Sequence, residues 1–87
     1  MTLPDLAQAA TVALTMRRSA RALMSLIAAA NPAGHLIIIT SPEDGDAYAD
    51  LHRLGVTEPA TLTPGVPRVR LTAFGAAVHR MAQGITP

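Results

Sequence analysis

The sequence predicts an α+β domain, and three observations predict it. Apolar residues at helical spacing cover most of residues 3–30, and a β-branched run follows at residues 36–40. Two shorter strand patterns then flank a Pro-Gly turn before a last helical stretch. We therefore expect 87 residues to form one domain, with a helical part at residues 1–30 and a strand, helix, hairpin and final helix over residues 35–83.

The N-terminal part begins with a helix cap. Thr2 followed by Asp5 is typical of a capping box. The apolar stripe behind it allows either one long helix over residues 3–30 or two helices, with Ser19 capping the second. Asn31-Pro32 ends this part, because proline keeps the residue before it out of the helical region.

The middle of the chain predicts one strand and one helix. Residues 36–40 form a continuous apolar run, which is typical of a strand buried on both faces or of a strand in a small sheet covered by helices. Ser41 as N-cap and Pro42 at the first helical position then start a helix that should run to Leu54, with Gly55 just beyond its end. The inward residues of this helix are predicted to be Ala47, Leu51 and Leu54.

A β-hairpin follows. Residues 56–62 and 66–71 are predicted strands, and Thr63-Pro64-Gly65 is the turn between them. Arg68 and Arg70 alternate with apolar residues, so both arginines should share the solvent face of the second strand. Val69 and Leu71 should face inward.

The C-terminal stretch predicts one more helix. Thr72 is its expected N-cap, and the helix should reach about Gln83, with residues 84–87 as a frayed tail. Its inward residues are predicted to be Phe74, Val78 and Met81.

Charge is unevenly distributed although the net charge is only +1. Four of the six acids lie within eight residues: Glu43, Asp44, Asp46 and Asp50. The seven basic residues are all arginine, in the groups Arg17/Arg18/Arg21 and Arg68/Arg70/Arg80, with Arg53 alone. So few charges on a small, Ala-rich helical chain also predict a homodimer.

Several classes of function are excluded by what the chain lacks. It has no cysteine, its three histidines lack metal-ligand spacing, and no Gly-rich phosphate loop or nucleophile motif is present. Asp44-Gly45-Asp46 fails as a calcium loop, because Ala49 stands where the turn requires glycine. We therefore expect no cofactor, no metal and no enzyme activity. Neither a secretory signal nor a membrane span is predicted, which makes the cytoplasm the expected location.

The second half of the chain resembles a known family. The residues that carry the resemblance are Leu51, Leu54, Gly55 and Val56, then Arg68-Val69-Arg70-Leu71-Thr72 and Gly75. In this order of helix end, hairpin and capped helix, residues 19–81 are similar to winged helix-turn-helix regulators of the multiple-antibiotic-resistance and phenolic-acid-decarboxylase types. The family has two helices between the first strand and the wing, whereas residues 40–55 hold one helix, and its start is acidic.

The resemblance implies a transcription regulator that binds double-stranded DNA. The helix over residues 46–53 would approach the major groove with His52 and Arg53, while Arg68 and Arg70 of the wing would hold the DNA backbone. Arg17, Arg18 and Arg21 either add a phosphate-contacting patch or cap a helix and keep the surface soluble. His52 is either a base or phosphate contact or a partly exposed surface residue.

An alternative is a winged-helix-like protein-interaction module without DNA binding. Its docking face would be the acidic helix, through Glu43, Asp44, Asp46 and Asp50, directed at a basic partner. A small toxin or inhibitor fits the size of the chain, but no residue supports it.

Overall fold

The computed structural model describes residues 2–60 and 64–85. In these residues the chain forms four helices and a three-stranded antiparallel sheet, which confirms the predicted α+β class. The central strand is the last of the three, because the strand order is β1-β3-β2. The elements are α1 (Leu3–Thr15), α2 (Arg18–Ala29), β1 (His35–Leu36), α3 (Pro42–Arg53), β2 (Thr57–Pro59), β3 (Arg68–Leu71) and α4 (Ala73–Ile85).

The N-terminal part is two helices. The capping box of α1 is confirmed: the backbone N–H of Asp5 donates to Thr2 Oγ1 (3.4 Å), and the Asp5 carboxylate accepts from the backbone N–H of Thr2 (3.2 Å). A straight helix over residues 3–29 would be about 40 Å long, more than the 37 Å longest dimension of the molecule. A break at Met16, which is buried, lets both halves pack on one core. Ser19 does not cap α2; the N-cap is Arg17, whose side chain makes no capping hydrogen bond.

The prediction of a buried strand over residues 36–40 is wrong, because β1 ends at Leu36 and Leu36 is itself 39% exposed. Ile38 and Ile39 are 56% and 57% exposed, and the pairing with β3 stops early. Ile37 donates its N–H to the carbonyl of Pro67 (2.9 Å). Proline has no N–H to return the bond, so the ladder ends there.

The predicted α3 is confirmed at both ends. Ser41 is the N-cap, and its hydroxyl accepts from the N–H of Asp44 (3.2 Å). Gly55 follows the C-cap Leu54 with φ +76°, a left-handed conformation that glycine adopts without strain. Of the predicted inward residues, Ala47 and Leu51 are buried and Leu54 is half-buried.

The hairpin forms with shorter strands than predicted. Thr57 pairs with Leu71, and Glu58 pairs with Arg70. Leu71 is buried and Val69 packs against the core, as predicted. Pro64 and Gly65 lie in a turn, whereas residues 61–63, including the predicted tip residue Thr63, lie outside the described residues.

Thr72 caps α4, as predicted. Its hydroxyl accepts from the N–H of Gly75 (2.9 Å) and donates to the carbonyl of Gly55 (2.6 Å), which ties the helix start to the end of α3. Gly84 belongs to the helix rather than to a frayed tail, and α4 ends at Ile85. Residues 86–87 of the predicted tail lie outside the described residues.

One core joins all four helices to β3. It is built from small and aliphatic side chains, of which the largest fully buried are Met24, Ile27, Leu51, Val56 and Val78. Phe74 and Met81 are partly buried against it. Across residues 2–60 and 64–85, each helix is too short or too polar to cross a membrane.

Candidate functional site

A groove between α2 and α3 combines apolar walls with an acidic rim. We call it the α2–α3 groove; it encloses about 470 Å³. Leu26 from α2 and Ile38 from the segment after β1 line it, and they are 58% and 56% exposed. Glu43 and Asp44 from the first turn of α3 line its other side. Large exposed aliphatic side chains beside a groove are typical of an interaction surface.

The acidic rim is fixed by the cap of α3. The Asp44 carboxylate accepts hydrogen bonds from the hydroxyl (2.7 Å) and the N–H (2.9 Å) of Thr40. These bonds favour the ionised form and hold the pKa of Asp44 below its ordinary value of 3.8. In the described part of the chain, neither Glu43 nor Asp44 forms an ion pair. The rim therefore presents uncompensated negative charge next to apolar surface.

Stability should depend on pH through Asp44. The folded-state pKa is lowered, so the ionised carboxylate stabilises the fold at pH values above 3.8, and this contribution is lost as the pH falls through the lower folded-state pKa. We expect Asp44→Asn to lower the unfolding free energy at neutral pH, and the difference from wild type to shrink in acid. Urea unfolding at a series of pH values measures it.

Asp46→Asn is the matched control, because it removes the same charge from the same helix. If the difference in unfolding free energy between wild type and Asp44→Asn did not change with pH, it would contradict the role given to the Thr40 hydrogen bonds.

The fourth acid of the predicted cluster is neutralised within the protein. Asp50 pairs with Arg17 (Nε to Oδ2, 2.7 Å) and with Arg53 (Nη2 to Oδ1, 3.3 Å), and its side chain is only 18% exposed. The structure therefore brings the predicted site residues Arg17 and Arg53 together, and it separates Asp50 from the acidic rim. His52 is exposed and lines a different groove, together with Tyr48 and residues of the hairpin.

The two wing arginines differ in their surroundings. Arg70 is exposed and its Nε donates to Glu58 Oε1 (2.9 Å) on the neighbouring strand. Arg68 is half-buried, and its Nη1 donates to the carbonyl of Gly34 (3.4 Å). The prediction that both arginines face solvent alike is therefore wrong for Arg68, because the turn at Gly34 packs against its stem.

The two arginines of α2, Arg18 and Arg21, also differ in their surroundings. Arg21 is half-buried and donates to the carbonyl of Ala13 in the last turn of α1 (3.2 Å), so for this residue the helix-capping alternative is correct. Arg18 is exposed. Both line a second groove with His79 and Gln83 of α4, which we call the α2–α4 groove.

Sequence reasoning missed both grooves. The helical spacing of Arg18, Arg21 and Ser25 places them on one face of α2, and this was the available signal. Nothing in the sequence said that this face lies beside His79 rather than in solvent. Among the described residues, no group of three or more His, Cys, Asp or Glu side chains lies close enough to hold a metal ion.

Comparison with known proteins adds no assignment. No protein-family model, no curated protein and no solved structure matches this chain. Any functional conclusion therefore depends on the geometry and charge of its own residues.

Proposed function

We propose that this chain is a winged-helix-like protein-interaction module that binds a basic, amphipathic segment of a partner protein in the α2–α3 groove. The observation that carries the proposal is the exposed aliphatic pair Leu26 and Ile38 facing the acidic rim of Glu43 and Asp44. An amphipathic helix docks through its apolar face, and its flanking charges determine the orientation.

The topology supports the winged-helix-like part of the proposal. The hairpin β2–β3 follows α3, the central strand β3 pairs with β1, and α4 begins directly after β3. A single helix stands between β1 and the hairpin, where DNA-binding members of the family have two. The helix that would enter the major groove therefore lacks its usual preceding partner.

Electrostatics favours a basic protein segment over DNA at α3. Three acids, Glu43, Asp44 and Asp46, lie in its first half. The arginine at its end, Arg53, shares Asp50 with Arg17. A phosphate backbone approaching this helix would meet repulsion at one end and already paired guanidinium groups at the other.

A designed peptide pair tests the proposal. The probe is an 18-residue helical peptide with leucine on one face and lysine on the other, and the comparison peptide has glutamate in place of lysine. We expect the lysine peptide to bind and to shift the NMR signals of Leu26, Ile38 and Glu43, while the glutamate peptide does not.

Ile38→Ser should weaken binding of the lysine peptide by about tenfold or more, because an apolar side chain is lost from the contact. Leu3→Ser is the matched control: Leu3 is 81% exposed and lies on α1, away from the groove. Equal affinity for both peptides, or an equal effect of the two substitutions, would overturn the proposal.

DNA binding by a homodimer is the second candidate, and the exposure of several predicted contacts favours it. Arg17, Arg18, Arg53 and Arg70 are all exposed, and only two carboxylates, Asp50 and Glu58, pair with three of them. Surface ion pairs of this kind are weak enough for phosphates to displace them.

If this candidate is correct, retention on a random duplex should fall steeply with salt. The double change Arg53→Ala with Arg70→Ala, which removes two exposed arginines, should reduce the salt slope by about two. Gel shifts at several ionic strengths measure the slope. Absence of any retained complex at low salt would rule out DNA binding.

A further inference from the structure

The α2–α4 groove lies on the face of α2 that adjoins the proposed peptide site, and Ala22 lies between the two grooves. It encloses about 550 Å³, a size that suits a small organic molecule better than a single inorganic ion. Ala22 and Ala82 supply apolar surface, and Ser25 and Gln83 supply hydrogen-bonding groups. The groove is therefore built like a small-molecule site, with apolar walls and a few polar side chains.

Basic side chains from two helices converge on this groove. Arg18 and Arg21 come from α2 and His79 comes from α4, and among residues 2–60 and 64–85 no carboxylate lines the groove with them. The described acids lie elsewhere: Asp5 is at the far end of α1, and the others are in α3 and β2. Among the described residues, the α2–α4 groove is therefore lined by positive charge without an acid, whereas the α2–α3 groove is lined by acids.

Arg21 is the more buried of the two arginines in this groove. Its guanidinium is half-buried and hydrogen-bonds to a neutral carbonyl, that of Ala13. Its Nε is buried and has no hydrogen-bond partner among the described residues. A half-buried cation without a nearby acid is costly, and an anion bound next to it offsets that cost.

We propose that the α2–α4 groove binds a small organic phosphate. Arg18, Arg21 and His79 are the groups for the phosphate oxygens, since guanidinium forks match phosphate geometry. Ala22 and Ala82 contact the apolar part of the molecule. This site goes beyond the proposed function, because its charged and polar side chains are different from those of the α2–α3 groove, and the two grooves share only Ala22 among their described lining residues.

Titration with phenyl phosphate tests the proposal, followed by NMR on the intact protein at constant ionic strength. We expect saturable shifts confined to residues 18–25 and 79–83. Inorganic phosphate should bind at the same residues more weakly, because it lacks the apolar part, and benzyl alcohol should not bind, because it lacks the charge. If inorganic phosphate bound as tightly as phenyl phosphate, the groove would be a site for the free ion, and the proposal of an organic ligand would be overturned.

Two arginine variants of equal charge supply the control. Arg18→Gln should weaken phenyl phosphate binding about tenfold, as expected when a charge-assisted hydrogen bond is lost. Arg80→Gln lowers the net charge equally on α4, but Arg80 does not line the groove, so binding should be unchanged. Equal weakening by both variants, or shifts that rise linearly without saturation, would overturn the site.

Discussion

Gly75→Ala is expected to destabilise the protein by about 3 kcal/mol, which is the upper part of the range for overpacking a core. A methyl group at this position meets the backbone of Val56: its carbonyl oxygen, its carbonyl carbon at 2.8 Å and its Cα at 3.1 Å. Backbone atoms cannot rotate away as a side chain can. The start of α4 must therefore move off the strand connection, although alanine is otherwise the better helix former.

The Val56 segment is held too firmly to yield. Val56 is fully buried, its N–H donates to the carbonyl of Leu51 (2.9 Å), and its own carbonyl accepts from the N–H of Thr72 (3.0 Å). Thr72 also caps α4 through Gly75. Separation of Gly75 from Val56 therefore weakens the bonds that attach α4 to the end of α3.

Thermal unfolding followed by circular dichroism measures the effect. A loss of about 3 kcal/mol corresponds to a midpoint lower by roughly 12–24 °C in a domain of this size. Gly84→Ala is the control, because Gly84 lies in the same helix with nothing within 4 Å of an added methyl group. It should be neutral or stabilise by up to about 1 kcal/mol. Similar midpoints for the two variants would contradict the close approach of α4 to Val56.

Leu51→Ala is expected to cost a similar amount, about 3 kcal/mol, from lost apolar contact and the cavity left behind. Leu51 is fully buried and is the buried residue of α3 that belongs to the core, with the half-buried Leu54 packed against it. Loss of its side chain should loosen α3 and, with it, the acidic rim of the α2–α3 groove. The variant should therefore also bind the lysine peptide less well than wild type.

Leu14→Ala is the matched substitution on the surface. Leu14 is 65% exposed on α1, so its replacement should change stability by no more than about 0.5 kcal/mol. Urea unfolding of both variants and of wild type compares them directly. If Leu51→Ala were as mild as Leu14→Ala, α3 would not be anchored in the way described.

Two glycines in the second half of the chain, Gly55 and Gly75, stand where the fold requires glycine. Gly55 has a left-handed conformation after the last residue of α3, and Gly75 lies against the Val56 backbone. Thr72 between them bonds to the carbonyl of Gly55 and to the N–H of Gly75. These residues join a helix, a hairpin and a second helix, so their spacing in the sequence predicted the order of these elements.

The predicted site residues were harder to place. Arg17, Arg18 and Arg21 are neighbours in the sequence, yet Arg17 pairs with Asp50, whereas Arg18 and Arg21 line the α2–α4 groove and Arg21 also donates to the end of α1. Sequence spacing identified them as one patch because it cannot show which carboxylate or carbonyl lies across a helix interface. The same holds for the acids, since Asp50 is paired and Asp44 is on the rim.

The sequence by itself determined the α+β class and those helix ends that a local cap or glycine marks, whereas the strand ends were wrong. A capping box at Thr2, an N-cap at Ser41 and a glycine at Gly55 act within a few residues of chain, so local chemistry is sufficient to position them. Only the tertiary structure decided which side of each helix and strand is covered by another part of the chain. The missing N–H of Pro67 ends the pairing of the isoleucine run and leaves Ile38 beside α2 and α3, through a contact between residues thirty positions apart in the chain. Burial and charge pairing depend on such distant neighbours, and for that reason both grooves were absent from the local pattern.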